Sequence, residues 1–355
     1  MATRLRSVTL QKTGHVDTPR LFAEVEQVVP MTPTGRDLLV EIRATGVNVV
    51  DTQIRRGVVP PPAEGILGFD AAGVVVETGG SVRNFQVGDA VYYAGQLDRP
   101  GTYASHQLVD ERIVGHKPKS LTFAEAASIP LAGLTAWEGL FDKLKLHADS
   151  SGVLLVVGAP GGVGPMVIQL ARALTDVSII ATVSSDEAAK WVRSFGAEAV
   201  VDSGEDFLED IRRVAPGGVD YVFSTDSVGL ASALVPVMNP FGEIVACDIT
   251  RQEDFDVLKH RSISWHWENV FARPIYGAID MCRQHEALDE IARLVDNHRI
   301  RPPITGILAP VNVATIKEAH RRVESPRRMG KIVVVRGDVT SQGLYPRGTE
   351  PEWLR

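Results

Sequence analysis

An apolar, β-branched run, Val153-Leu154-Leu155-Val156-Val157, feeds straight into Gly158-Ala159-Pro160-Gly161-Gly162-Val163-Gly164, and this junction constrains the fold more than any other stretch of the chain. After the turn, apolar residues recur at Val163, Val167, Leu170, Ala171 and Leu174, which is one face of a helix. Pro165 stands in the first helical turn, where its missing N–H is harmless because that group has no intrahelical partner. A second apolar run, Ser178 to Val183, follows at the spacing of one βαβ unit. A strand, a turn of small residues and a helix N-terminus bring unpaired N–H groups and the positive end of a helix dipole to one point. Such a point seats a pyrophosphate.

The flanking chain shows two textures. Up to about residue 120 it is β-rich and irregular, with apolar runs at Leu38 to Ile42, Ala71 to Val76 and Ala90 to Tyr93 separated by Gly, Pro and Asp. From about Leu121 helix and strand patterns alternate. Helices are expected near Asp186 to Phe195, Glu205 to Val214 and Leu230 to Met238. Strands are expected at Ala199 to Val201, Val219 to Ser224, Glu243 to Asp248 and Ile263 to Trp267. This α/β series predicts a doubly wound parallel sheet, closed by an amphipathic helix over Ile279 to Val295. Beyond Arg301-Pro302-Pro303 a helix at Val313 to Val323 and a strand at Lys331 to Val335 return to the first domain. The predicted division is 1–120, 121–304 and 305–336, with 337–355 an irregular tail.

Within Ala159-Pro160-Gly161-Gly162-Val163-Gly164, alanine takes the first glycine position of a dinucleotide fingerprint. Gly161 is expected to admit the pyrophosphate to the backbone, and Gly164 to allow close helix–strand approach. Plain close packing is the other use of such a turn. NAD-specific folds place a carboxylate at the end of the second strand, where this chain has Val183-Ser184. A 2′-phosphate is therefore admissible there, with Ser184 and Ser185 as donors and Lys190 as counter-charge, and Arg327, Arg328 and Lys331 as further cations. Lys190 as a solvated helix lysine is the plainer alternative. The cofactor expected is NADPH.

Several further motifs stand in a fixed order: Gly46-Val47-Asn48-Val49-Val50-Asp51-Thr52, Gly68-Phe69-Asp70-Ala71-Ala72-Gly73, Val87-Gly88-Asp89-Ala90-Val91-Tyr92-Tyr93 and Gly133-Leu134-Thr135-Ala136-Trp137. With these the chain resembles the medium-chain dehydrogenase/reductase superfamily from about residue 5 to 336. Within it the chain is similar to the quinone oxidoreductase branch and its zinc-type alcohol dehydrogenase-like group. The resemblance implies a GroES-like β-rich catalytic domain, split between the chain ends, around a Rossmann-type core. Zinc-dependent relatives place ligands where this chain has Asn48, Phe69 and Leu131-Ala132, and none of these suits Zn²⁺, which takes thiolate, imidazole or carboxylate. The span where a structural zinc lobe would fall, Val91 to Gly115, has no cysteine, and the nine histidines show no paired spacing. No metal is expected.

Without a Lewis acid, oxidation of an unactivated alcohol loses its main means of lowering the alcohol's pKa. Hydride donation to an already electrophilic quinone, enone or enal needs chiefly positioning and donors for the developing oxyanion. The resemblance implies reduction of a quinone or conjugated carbonyl by NADPH. It implies a place beside the nicotinamide for Asn48, as hydrogen-bond donor or as a turn residue, and a contact with the cofactor for Thr135. For Tyr92 and Tyr93 core or wall packing is the leading role, with donation of a proton or hydrogen bond by one phenol as the candidate catalytic role. Asp51 is expected to fix its loop by accepting backbone N–H bonds, with action as a base as the alternative. Cys247 is read as an inert thiol. The resemblance implies that the strand of Trp265, His266 and Trp267 pairs across a dimer, with a substrate-lining role for one face as the alternative, so a homodimer is expected.

A net charge of −7 argues against nucleic acid or an anionic membrane as partner. Met1 to Arg6 leads into no apolar signal core, no run reaches membrane-spanning length, and Cys247 and Cys282 are the only cysteines. The expectation is a cytoplasmic enzyme acting on a small electrophilic molecule.

Overall fold

The computed structural model describes residues 2–204, 206–249 and 254–337. The described residues form two compact units, one within 1–131 and from 271 to 337, the other within 132–270. The first unit opens with an antiparallel hairpin of β1 (Ala2–Leu10) and β2 (Phe22–Pro30). The long, mostly buried β3 (Asp37–Val47) leads into helix α1 (Val49–Arg55). Next come β4 (Ala71–Thr78), β5 (Ala90–Tyr93), β6 (His106–Asp110) and β7 (Val114–His116). Short α2 (Phe123–Ala126) begins at Thr122, whose hydroxyl accepts the Glu125 N–H while the Glu125 carboxylate accepts the Thr122 N–H.

Helix α3 (Pro130–Trp137) crosses into the second unit. That unit alternates β8 (Val153–Val157), α4 (Gly164–Leu174), β9 (Ser178–Val183), α5 (Asp186–Arg193), β10 (Ala199–Asp202), α6 (Phe207–Val214), β11 (Val219–Ser224), α7 (Leu230–Leu234), β12 (Met238–Ala246) and β13 (Ser264–Trp267). Its six strands are all parallel, in the order β10-β9-β8-β11-β12-β13. Leu155, Ile180, Val222 and Ile244 from four neighbouring strands are buried in one cluster with helix residues Ile211 and Leu234. The strand order reverses between β8 and β11, so the Gly158 to Gly164 turn lies at the switch point, where open α/β sheets bind ligands.

The chain then returns through α8 (Ala272–Ile275), α9 (Arg283–Asp296), β14 (Ile304–Leu308), α10 (Val313–Glu324) and β15 (Lys331–Val335). A seven-stranded sheet results, ordered β14-β15-β3-β4-β5-β7 with β6 also on β3. Thus β3 is paired on one side by β4 and on the other by β6 and by β15, a strand from the far end of the chain.

Three expectations need correction. The amphipathic helix α9 does not close the parallel sheet. It belongs to the first unit, where Leu288 O accepts the Tyr92 hydroxyl at 2.6 Å and His285 Nδ1 meets Val114 O at 2.7 Å. The division accordingly falls at 131 and 271, not at 120 and 304. The helix expected over Leu230 to Met238 ends at Leu234, because Met238 already begins β12. The irregular tail expected from residue 337 lies, from 338 on, outside the described residues, as does Glu205 at the start of the expected third helix.

Candidate active site

The turn after β8 is built by close contacts. Gly158 has φ +73°, a left-handed conformation that glycine adopts without strain. Its N–H donates to Thr182 Oγ1 at 3.0 Å, and its carbonyl accepts from Thr225 Oγ1 at 3.3 Å. The Pro160 carbonyl is held by the Trp191 indole N–H at 3.2 Å, which ties the turn to α5. A Cβ on Gly164 would stand 2.1 Å from Ala159 O, so the turn closes on the helix start only with glycine there. At Gly161 the nearest atom to an added Cβ is 3.6 Å away. The backbone is therefore open on that side. Ala159 and Gly164 are buried, while Pro160, Gly161, Gly162 and Val163 are half-exposed. No side chain caps α4. An open backbone at a free helix N-terminus fits the diphosphate of a nicotinamide dinucleotide.

Ser184 and Ser185 follow β9 directly and are exposed. Ser185 caps α5, its oxygen accepting the Ala188 N–H at 3.2 Å, and its hydroxyl hydrogen remains available to a ligand. Lys190 is exposed, one turn into α5, and its ammonium has no partner among the described residues. Thr182, Thr225 and Trp191, which shape the turn, were not singled out from the sequence. Their offsets from it carry no local signal.

The first unit holds a buried polar cluster around Asn48. Asp70 is fully buried, with Oδ1 accepting the Leu131 N–H at 2.7 Å and Oδ2 accepting Asn48 Nδ2 at 2.9 Å and Lys331 Nζ at 2.7 Å. Lys331 also donates to Asn48 Oδ1. These charges fix the amide: the ammonium faces its oxygen and the carboxylate its nitrogen. The second Nδ2 hydrogen goes to Phe69 O at 3.3 Å. Burial pushes the Asp70 carboxyl up, and Lys331 opposes that shift. Asp51 is also fully buried, accepting the N–H groups of Asn48 and Gly68, each at 2.8 Å. Burial raises it to about 7 despite those two bonds. The Tyr103 phenol, whose pKa is raised by burial and then by the charges of Asp51 and Asp70, meets His320 Nε2 at 3.1 Å.

Several predicted roles change accordingly. The Asn48 amide is saturated, so it is a positioning group rather than a free donor to an acceptor. Lys331, expected among the cations for a 2′-phosphate, gives two of its three N–H bonds to Asp70 and Asn48 inside the first unit. Tyr92 gives its hydroxyl to Leu288 O and has no exposed surface. Tyr93 is likewise wholly buried, among Leu38, Val91 and Val114, with its hydroxyl unpartnered. Neither tyrosine is placed to donate a proton to a ligand. Thr135 lies within helix α3, not in a turn, and is 5% exposed. The Cys247 thiol, which donates to Ser224 O at 3.5 Å, is held protonated by burial. Tyr103, His320 and Asp70 were missed as members of the cluster; only Asp70, inside the Gly68 to Gly73 motif, carried a sequence signal.

The donor set does not fit zinc. Phe69 is buried, edge-on to Phe271 with ring centroids 5.4 Å apart, and a phenyl ring offers no ligand atom. Among the described residues no group of three or more His, Cys, Asp or Glu is placed to hold a metal.

Comparison with known proteins agrees with this architecture. The alcohol dehydrogenase GroES-like domain family matches residues 34–135, and the zinc-binding dehydrogenase family matches residues 162–271. A zinc-type alcohol dehydrogenase-like protein of Staphylococcus aureus is 33% identical over 336 residues, covering 93% of this chain and 99% of that protein. A chloroplastic NADPH-dependent alkenal/one oxidoreductase of Arabidopsis thaliana is 35% identical over 242 residues, 66% of this chain and 60% of that one. The crystal structure of a candidate zinc-dependent alcohol dehydrogenase from Rhizobium etli superposes with a TM-score of 0.88 at 37% identity, covering 96% of this chain and all of that one.

Proposed function

The chain belongs to the medium-chain dehydrogenase/reductase superfamily, in its quinone oxidoreductase-like branch, and on that premise we propose that it is a zinc-independent reductase using NADPH to reduce a quinone or similar activated carbonyl compound. The observation that carries the cofactor choice is the end of β9, where Ser184, Ser185 and the unpaired Lys190 stand and the NAD-type carboxylate is missing. The open backbone at Gly161 takes the diphosphate. Bound there, NADPH supplies a hydride. The donor set at Asn48 and Phe69 supports an acceptor that needs no metal, because a quinone or conjugated carbonyl is electrophilic already.

The Arabidopsis relative's activity on alkenals and alkenones favours a second reading, an enoyl reductase for α,β-unsaturated aldehydes, ketones or thioesters. A protein that binds NADPH without turnover is the reading from another class. The test follows NADPH and NADH absorbance at equal concentration with a quinone, an α,β-unsaturated ketone, an enoyl thioester and a simple aldehyde. Fastest NADPH loss is expected with the quinone. The enone or thioester leading would favour the second reading, NADH preference would overturn the roles of Ser184 and Lys190, and NADPH binding with no acceptor reduced would favour the third.

A further inference from the structure

Lys331 begins β15 with 4% of its side chain exposed. A buried ammonium is costly unless paired and hydrogen-bonded, and this one is both, through Asp70 Oδ2 at 2.7 Å and Asn48 Oδ1. An ammonium carries three N–H bonds, and those partners use two. No described residue takes the third. The neighbouring donors are all spent. Asn48 Nδ2 serves Asp70 and Phe69 O, the Leu131 N–H serves Asp70, and the hydroxyl of Thr102 serves the Asp70 carbonyl at 3.0 Å. Among Asn48, Asp70 and Lys331 the one uncommitted donor is thus the third N–H of the ammonium, which is also the one cation of the three. Asp70 and Asn48 hold that cation in a fixed position, which is what preorganised stabilisation of a developing charge requires.

We propose that the third N–H of Lys331 binds the acceptor oxygen that becomes negative during reduction. The assignment rests on the reductase reading. In the step, hydride forms a new C–H bond at the electrophilic carbon of the acceptor while the displaced π pair settles on oxygen. Lys331 keeps its proton and hydrogen-bonds that oxyanion, and water supplies the proton that completes the product. One NADPH and one proton are consumed per acceptor. Asp70 and Asn48 are positioning residues, and Lys331 is the catalytic one.

The test uses the full-length protein with 4-nitrophenol, whose anion resembles the developing oxyanion and absorbs visibly. Titrating the bound probe without cofactor is expected to show ionisation at lower pH than in free solution, and no such shift in Lys331→Gln. With NADPH and a quinone, Lys331→Gln is expected to lower kcat by about 10²–10³-fold while the dissociation constant for NADPH changes less than twofold. Because Lys331→Gln leaves Asp70 as an unpaired buried charge, the double variant Lys331→Gln/Asp70→Asn, which removes both charges, serves as the folded control. Its thermal unfolding shows that it folds, and the same loss of kcat is expected. An unchanged kcat in either folded variant, or a probe that binds the wild type unshifted or not at all, would overturn the proposal. If no acceptor oxidised NADPH, the reductase reading would fail while the nitrophenol titration still decided whether Lys331 binds an oxyanion.

Discussion

At the scale of single residues, Gly161 and Gly164 differ in what an added Cβ would meet. Gly164→Ala drives a Cβ to 2.1 Å from Ala159 O, so it is expected to destabilise the fold by about 1–3 kcal/mol and to lower the thermal midpoint. Gly161→Ala meets nothing closer than 3.6 Å, so its midpoint is expected to stay put while NADPH affinity falls at least about tenfold, the equivalent of 1.4 kcal/mol. Fluorescence titration with NADPH and a melting curve read both, and equal affinity in Gly161→Ala would show that no phosphate passes there. His320 offers a pH test. Burial, with the Arg55 charge adding to it, lowers its pKa to about 3, so between there and about 6.5 the unfolded chain binds a proton that the folded chain refuses. Stability on this account is whole above pH 6.5 and falls with acid, by at most about 1.4 kcal/mol per pH unit. His320→Leu is therefore expected to cost most above pH 6.5 and less at pH 4 in urea unfolding. A cost independent of pH would contradict a neutral His320. Asp51, raised to about 7, has the opposite sign, its contribution being present in acid and lost as pH rises through 7.

At the scale of elements, the apolar periodicity of α9 was legible and its neighbour was not. The pattern shows that Ala287, Leu288, Ile291 and Val295 form a face, and the structure buries all four. A face does not say which surface it covers. The strand end that meets it, Tyr92, reads from the sequence as core or wall packing or as a proton donor, and its hydroxyl is a tie to Leu288 O. Tyr92→Phe is expected to cost about 1 kcal/mol of stability in urea unfolding and to leave kcat with every acceptor within twofold. A large loss of kcat would restore Tyr92 as a proton donor. The strand–turn–helix of β8 and α4 was fully legible because each of its constraints is local: β-branched residues, small residues in the turn, Pro165 at the helix start. The cluster of Asn48, Asp70 and Lys331 was not. Its members come from a helix cap, a strand entry and a strand hundreds of residues later, brought together only when β15 pairs with β3.

At the scale of the whole molecule, the sheet order of each unit, the split first unit and the family fit one another. One edge of the six-stranded sheet is β13, with Trp267 49% exposed beside Trp265 and Phe255. An apolar edge strand invites pairing. We propose a homodimer through β13, and Trp267→Glu is expected to shift the sedimenting species from dimer to monomer; a wild type that sediments as a monomer would dismiss it. Among the described residues no helix is long and apolar enough to cross a membrane. The central claim is that the proposed hydride transfer runs without a metal. Its most direct test is the rate of quinone-dependent NADPH oxidation before and after exhaustive treatment with a zinc chelator. The account predicts the same rate in both. Loss of activity on chelation, restored by added Zn²⁺, would contradict it.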